Sequence, residues 1–204
     1  VGREEIEGAV RRLCEAGDYG GATAAGLRAY GGEVCGFLRA TLRSETDADE
    51  VFAIFAEELW RSMATFAWGC SLRTWSYLLA KRAASHLLKR KRRAPVRASS
   101  DLVEKLVQQI RTDTLSYLRT EKRSRLQALR DSLPDEDKAL LLLRVDRKLS
   151  WDELARVLAE EDLDDETVKR EAARLRKRFQ TVKDKLRALG AKDGLYRARD
   201  QREE

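Results

Sequence analysis

The chain has 204 residues, and 41 Lys and Arg against 35 Asp and Glu leave a net charge of +6. Charged residues make up 37% of it while Gly numbers 12 and Pro only 2, a balance that favours amphipathic helices over sandwiches and barrels. No apolar run reaches the roughly 18 residues of a membrane span, Val1-Gly2-Arg3-Glu4-Glu5 has no apolar signal core, and one histidine with Cys14, Cys35 and Cys70 but no CxxC pair excludes the usual zinc and disulfide frameworks.

Taken in chain order, Ile6, Val10, Leu13 and Cys14 share one face of a short helix, broken by Gly17-Asp18-Tyr19-Gly20-Gly21. A longer helix follows with Leu27, Tyr30, Val34, Phe37, Leu38 and Leu42. The next starts at the acids Asp47–Glu50, which suit the positive end of a helix dipole, and carries Phe52, Phe55, Leu59, Met63 and Phe66 at steps of three and four. Ala67-Trp68-Gly69-Cys70-Ser71 interrupts it. The following helix carries Leu72, Trp75, Leu79, Ala83 and Leu87, and the residue before Pro95 is expected to end it. A helix with Val103, Leu106 and Ile110 on one face then lies in or beside a linker.

Four helices are expected in the C-terminal part. The first carries Leu126, Leu129 and Leu133, and the second opens at Pro134 and carries Leu140 to Leu143 and Val145. The third is predicted over 151–158, because Ser150 and Glu153 make a capping box flanked by the staple pair Leu149 and Leu154. The fourth starts at the N-cap Asp164, runs along Val168, Ala172, Leu175, Phe179, Val182, Leu186 and Leu189, and is expected to stop at Gly190. The expected fold is all-α: two helical domains joined by a linker, the second a helix-turn-helix domain.

The layout of charge says more than its sum. Eight basic residues lie between Lys81 and Arg97 with no acid among them, and a second basic stretch runs from Lys169 to Arg178. Acids gather instead at Glu45–Glu58 and Glu160–Glu166. Two separate cationic stretches suit two contacts with one long polyanion, since each neutralised phosphate releases counterions. Within the helix-turn-helix, the second helix leads into the major groove with its first turns, here Thr167, Lys169, Arg170, Arg174 and Lys177. An enzyme is disfavoured: no glycine-rich phosphate loop and no nucleophile–base pair can be identified, and no cofactor or metal is called for.

Four segments carry a resemblance. Asp47-Ala48-Asp49-Glu50-Val51-Phe52 through Glu58-Leu59-Trp60 is an acidic-start, aromatic-rich helix ending in Leu-Trp. Ser71-Leu72-Arg73-Thr74-Trp75-Ser76-Tyr77-Leu78-Leu79-Ala80-Lys81 leads into the first basic run. Leu133-Pro134 is followed by Leu149-Ser150-Trp151-Asp152-Glu153-Leu154-Ala155, and then by Thr167-Val168-Lys169 with Arg174 and Arg176. In this order and spacing they resemble the bacterial RNA polymerase sigma factors of the extracytoplasmic-function (ECF) group.

The resemblance implies a transcription initiation factor that binds core RNA polymerase, recognises promoter DNA and acts in the cytoplasm. It implies a region 2-like domain over 30–93 for core polymerase and the −10 element, with residues 1–29 read as a helical extension beyond the family pattern. A linker over 94–113, a region 4-like domain over 114–190 for the −35 element and a charged tail over 191–204 complete it. Melting of the −10 element would fall to Trp68, Ser71, Arg73, Lys81, Arg82, Lys89 and Arg90, with the 67–71 loop holding an unpaired base. Asp49, Glu50, Glu57, Glu58 and Arg61 would meet the β′ clamp helices. The β flap and an anti-sigma protein are the further partners implied. Departures from the family pattern include Ala53-Ile54, Arg82, His86, Glu171 and the long acidic turn at 159–162. Two rivals remain at this level: a helix-turn-helix regulator that never binds polymerase, and a helical interaction adaptor.

Overall fold

A computed structural model describes residues 2–42, 44–90, 105–111, 129–159 and 162–192, and among these the chain is helical with no strand. The described residues fall into two compact units. One lies within Val1–Glu121 together with Arg156–Asp162, the other within Lys122–Ala155 and Leu163–Glu204.

The first unit holds α1 (Arg3–Glu15), α2 (Tyr19–Thr41), α3 (Glu45–Ser62) and α4 (Leu72–Arg90). Gly17 separates α1 from α2 by adopting φ 76°, a left-handed conformation that glycine reaches without Cβ strain. Asp18 then caps α2, its carboxylate accepting the Gly21 N–H at 2.8 Å, so that Gly20 and Gly21 lie inside the helix rather than in the break expected there. Ser44 caps α3 in the same way through the Asp47 N–H at 3.2 Å.

The core of this unit is continuous. Val10 of α1, Leu27 and Val34 of α2, and Phe52 and Leu59 of α3 are all fully buried. The expected extension over 1–29 therefore has no structural edge at residue 29. That position lies in mid-helix, and α1 with the first half of α2 buries side chains beside the rest. Helix α4 is covered almost all round: Leu72, Tyr77, Ala80 and Ala83 are wholly buried and Leu78, Leu79, Ala84 and Leu87 nearly so. A helix buried on so many sides, with Arg73, Thr74 and Ser76 covered as well, sits at the centre of its unit.

Within the stretch 94–113, read as linker, residues 105–111 form a helix that packs on this unit. Val107 is its buried residue. A Cβ added at Gly31 would come within 2.6 Å of Ile110 Cδ1, so the glycine is what lets this segment lie so close to α2. Arg39 donates to the Arg111 carbonyl at 3.2 Å, and Arg111 donates to the Asp49 carbonyl.

The second unit contains α5 (Asp135–Leu141), which continues as a π turn over Leu142–Asp146, then α6 (Trp151–Leu158) as far as Ala155, and α7 (Asp165–Lys192). Leu140 to Leu143 are buried as expected, but Val145 is 45% exposed. The widened turn, with the Arg147 N–H bonding to the Leu142 carbonyl, resets the helical register and leaves Val145 outside. The Ser150–Glu153 box is made in both directions, at 3.2 and 2.7 Å, and Leu149 and Leu154 are fully buried. Asp164 caps α7 through the Thr167 N–H at 2.7 Å. The seam of α7 divides into two clusters. Val168, Ala172 and Leu175 pack with Trp151 and Ala155, while Phe179, Val182 and Leu186 pack with Leu133 and Leu141. Gly190 does not stop α7, which runs on to Lys192 with Gly190 buried. The expected Leu126 and Val103 lie outside the described residues, as do Glu160 and Glu161 of the acidic turn.

Candidate nucleic-acid interface

The loop between α3 and α4 is built on a pile of rings. Phe66 stacks on Trp75 at 5.4 Å between centroids, and Trp68 lies on Phe66 at 4.8 Å. Beyond Trp68 stands the Arg11 guanidinium of α1, 5.5 Å from the ring centroid. Trp68 has φ 55°, a conformation that a bulky side chain rarely adopts. Trp75 is thus neither a plain core anchor nor a free platform: it is partly exposed and forms the base of the pile.

Ser71 and Arg73, two of the expected DNA contacts, are engaged inside the protein. Ser71 is the N-cap of α4, its Oγ accepting the Thr74 N–H at 3.1 Å. The Leu72 and Arg73 N–H groups donate to the Glu7 carboxylate of α1 at 2.8 and 3.2 Å, so the first turn of α4 is satisfied from two sides. Tyr30 also donates to Glu7, at 3.0 Å. Burial, reinforced by the Glu7 charge, pushes the Tyr30 hydroxyl well above the usual phenol range. The Arg73 side chain is buried and gives both Nε and Nη2 to Glu33 Oε2, at 2.9 and 2.7 Å. Its charge is met within the fold and does not add to a surface cationic patch.

Lys81 and Arg82 follow on α4, both half-buried. Lys89 and Arg90 close the helix, their side chains outside the described residues, as is the rest of the basic run to Arg97. Across from α4, Glu58 of α3 is half-buried. Burial raises its carboxyl above the ordinary range, Glu57 adds to this, and the charges of His86, Arg82 and Arg61 oppose it. Glu58 and Arg82 were expected on different surfaces, yet they lie within each other's field.

The expected polymerase-facing residues divide likewise. Asp49 is held by the buried guanidinium of Arg39 at 2.8 Å and belongs to the fold. Glu50, Trp60 and Arg61 are exposed, with Glu57 half-buried and paired to Arg61. With Ala53 they recur every three or four residues along the outer side of α3.

In the second unit, Lys169, Arg170, Arg174 and Lys177 are exposed on the side of α7 opposite its apolar seam, with the small Ala173 between them, and Thr167 is half-buried at the leading end. Arg174 reaches Glu171 at only 3.5 Å while 80% exposed, a weak tie. Arg178 differs. It gives Nε to Asp137 of α5 at 2.8 Å and Nη1 to Glu136 at 2.9 Å, and Lys185 adds a second contact to Asp137 at 3.1 Å. Burial pushes the Asp137 carboxyl up, but these bonds and charges outweigh it and hold the group below the ordinary aspartate range. Trp151, at the start of α6, has the guanidiniums of Arg144 at 4.5 Å and Arg176 at 5.9 Å over its ring.

Sequence reasoning missed Glu7, Arg11, Glu33 and Asp137. Asp137 carried a faint signal, as an acid one helical turn from Leu133, Leu140 and Leu141, whereas Glu7 carried none. The partners of Glu33 and Arg11 are too far away in the chain for any spacing rule to find. Among the described residues no cluster of His, Cys, Asp or Glu could hold a metal ion, and no helix is long and apolar enough to cross a membrane.

Compared with known families, residues 27–94 match the model for sigma-70 region 2, about a third of the chain, from mid-α2 through the end of α4. The match supports a sigma-factor family. Neither the curated proteins nor the solved structures gave a match.

Proposed function

We propose that this protein is a sigma factor of the ECF group. It binds core RNA polymerase, directs it to promoters and takes part in opening the −10 element. The observation that carries this reading is the sigma-70 region 2 match, which falls on the helices that bear both the aromatic loop and the first basic run. An ordinary helix-turn-helix regulator would have no use for that unit.

On this reading the outer stripe of α3, with Glu50, Glu57, Trp60 and Arg61, meets the β′ clamp helices. Trp68 receives an unpaired base of the melted element. A flat ring offers any base a stacking partner, and the cations Lys81, Arg82, Lys89 and Arg90 follow the backbone beside it. The second unit serves as the −35 reader and contacts the β flap. The capped α6 and α7 with their shared Trp151–Ala155–Val168–Ala172 core support this, as does the exposed set Lys169, Arg170, Arg174 and Lys177. Arginine there can pair with guanine edges bidentately, and lysine can neutralise phosphate. An anti-sigma protein completes the proposed partners, and the site of action is the cytoplasm.

The test is run-off transcription with purified core polymerase on DNA from upstream of this gene, paired with a co-migration assay. A transcript that needs both proteins establishes the function, and its 5′ end locates the two elements. Failure to co-migrate with core polymerase overturns the reading in favour of a polymerase-independent regulator.

A further inference from the structure

The α1 helix lies outside the stretch matched to region 2, yet one of its side chains meets the loop of residues 66–71 and another the first residues after it. Glu7 and Arg11 are four residues apart, hence one turn apart on one face of α1. Glu7 holds the start of α4 through the Leu72 and Arg73 N–H groups, just after the loop ends. Arg11 covers the ring of Trp68 within it. Glu15, a further turn along α1, reaches Arg11 Nε at 3.5 Å, but both side chains are exposed and the tie is weak.

The loop needs such support. A tryptophan at φ 55° is strained by about 1 kcal/mol or more, and such a conformation persists only where its surroundings over-determine it. Phe66 meets the Trp68 ring at a tilt of 46° with 4.8 Å between centroids, and Arg11 lies over the ring at 5.5 Å from its centroid.

We propose that α1 is a positioning strap for the base-receiving loop, with Glu7 fixing the loop's exit into α4 and Arg11 fixing the tilt of Trp68 for an unpaired nucleobase of single-stranded DNA. The functional half of this rests on the proposed reading of the loop, while the structural half stands without it. Arg11 and Glu7 are positioning residues. They act through Trp68 and through the α4 start, and Arg11, being exposed, can be replaced without emptying the core.

Two measurements separate these halves. The first is amide hydrogen exchange on the full chain. Arg11→Ala should speed exchange of the 68–71 amides by roughly tenfold while leaving the buried middle of α2 unchanged, and Arg11→Lys, which keeps a cation for the ring, should restore most of the protection. Unchanged loop exchange in Arg11→Ala overturns the strap. The second is binding of a labelled single-stranded oligodeoxynucleotide of mixed sequence to the full chain with core polymerase. Trp68→Ala and Arg11→Ala should each weaken it by roughly fivefold, with Arg11→Lys close to the parent. If Trp68→Ala binds like the parent, the base-receiving reading of the loop fails and the exchange result still decides the strap. If Trp68→Ala weakens binding but Arg11→Ala does not, or strengthens it, the positioning role is overturned alone.

Discussion

The guanidinium of Arg73 and the carboxylate of Glu33, forty residues apart, meet at 2.7 Å with the arginine side chain 4% exposed, and the Tyr77 hydroxyl donates to the same oxygen at 3.1 Å. This knot ties α4 to α2 beneath the aromatic loop. Taking away one partner leaves the other charge stranded. We expect Glu33→Ala to lower stability by about 2–4 kcal/mol, the carboxylate being partly solvated. Urea denaturation measures this. Arg73→Ala should be equally disruptive to folding. If it instead left stability intact and weakened DNA binding with a smaller salt slope, the arginine would be a DNA contact after all.

Duplex binding through α7 should depend on where a cation sits. Lys169→Ala and Arg174→Ala should each weaken binding to −35 duplex, by about 1–3 kcal/mol where a bidentate base contact is lost. Arg178→Ala, nine residues further along than Lys169, should cost stability first, because its partner Asp137 is buried. Equal effects of all three on DNA binding and none on melting temperature would sink the distinction.

Acid should unfasten the second unit in a defined direction. The folded Asp137 carboxyl is held below its ordinary value, so the stability it contributes is complete above the unfolded pKa, roughly 4, and is lost as pH falls through the folded one. Denaturation midpoints should therefore decline below about pH 4 in the parent. Asp137→Asn should be less stable near neutrality and show a flatter decline, and parallel curves for the two proteins would count against the assignment.

The outer stripe of α3 offers a charge-reversal experiment. Glu50→Lys with Arg61→Glu should reduce co-migration with core polymerase by tenfold or more, about 1.4 kcal/mol. Helix content should be preserved, since both side chains are exposed. Full binding by the double variant would move the contact off this face.

The first basic run has its own signature. Alanines in place of Lys89–Arg93 should flatten the dependence of DNA affinity on salt, because log K falls in proportion to the phosphates neutralised. An unchanged slope in a filter-binding titration over salt would rule out phosphate contacts there.

Local grammar made much of the fold legible. The Ser150–Glu153 box, the Leu149–Leu154 staple and the Asp164 cap each act within five residues, and α6 occupies the predicted span. Periodicity likewise found the buried faces of α3 and α7. It was less reliable where a residue type has two uses. Gly20 and Gly21 read as a break but sit within a capped helix, and Gly190 read as a stop but is passed through. The site was legible only as an inventory. Trp68, Lys169 and Arg174 lie where their own neighbourhoods predict. By contrast Ser71, Arg73 and Asp49 looked like surface chemistry because Thr74, Glu33 and Arg39, which occupy them, come together only through tertiary packing.

The pairing of Arg178 and Lys185 with Asp137 gives α7 a lengthwise division of labour. Its first three turns spend their positive charge outward, while further along two cations fasten the helix to α5. A count of basic residues along this helix thus overstates its valence toward a polyanion. Shortening α7 from its C-terminal end would first loosen the anchorage that holds its exposed cations Lys169, Arg170 and Arg174 in place, and whatever those cations bind would be lost afterwards, for want of a foundation.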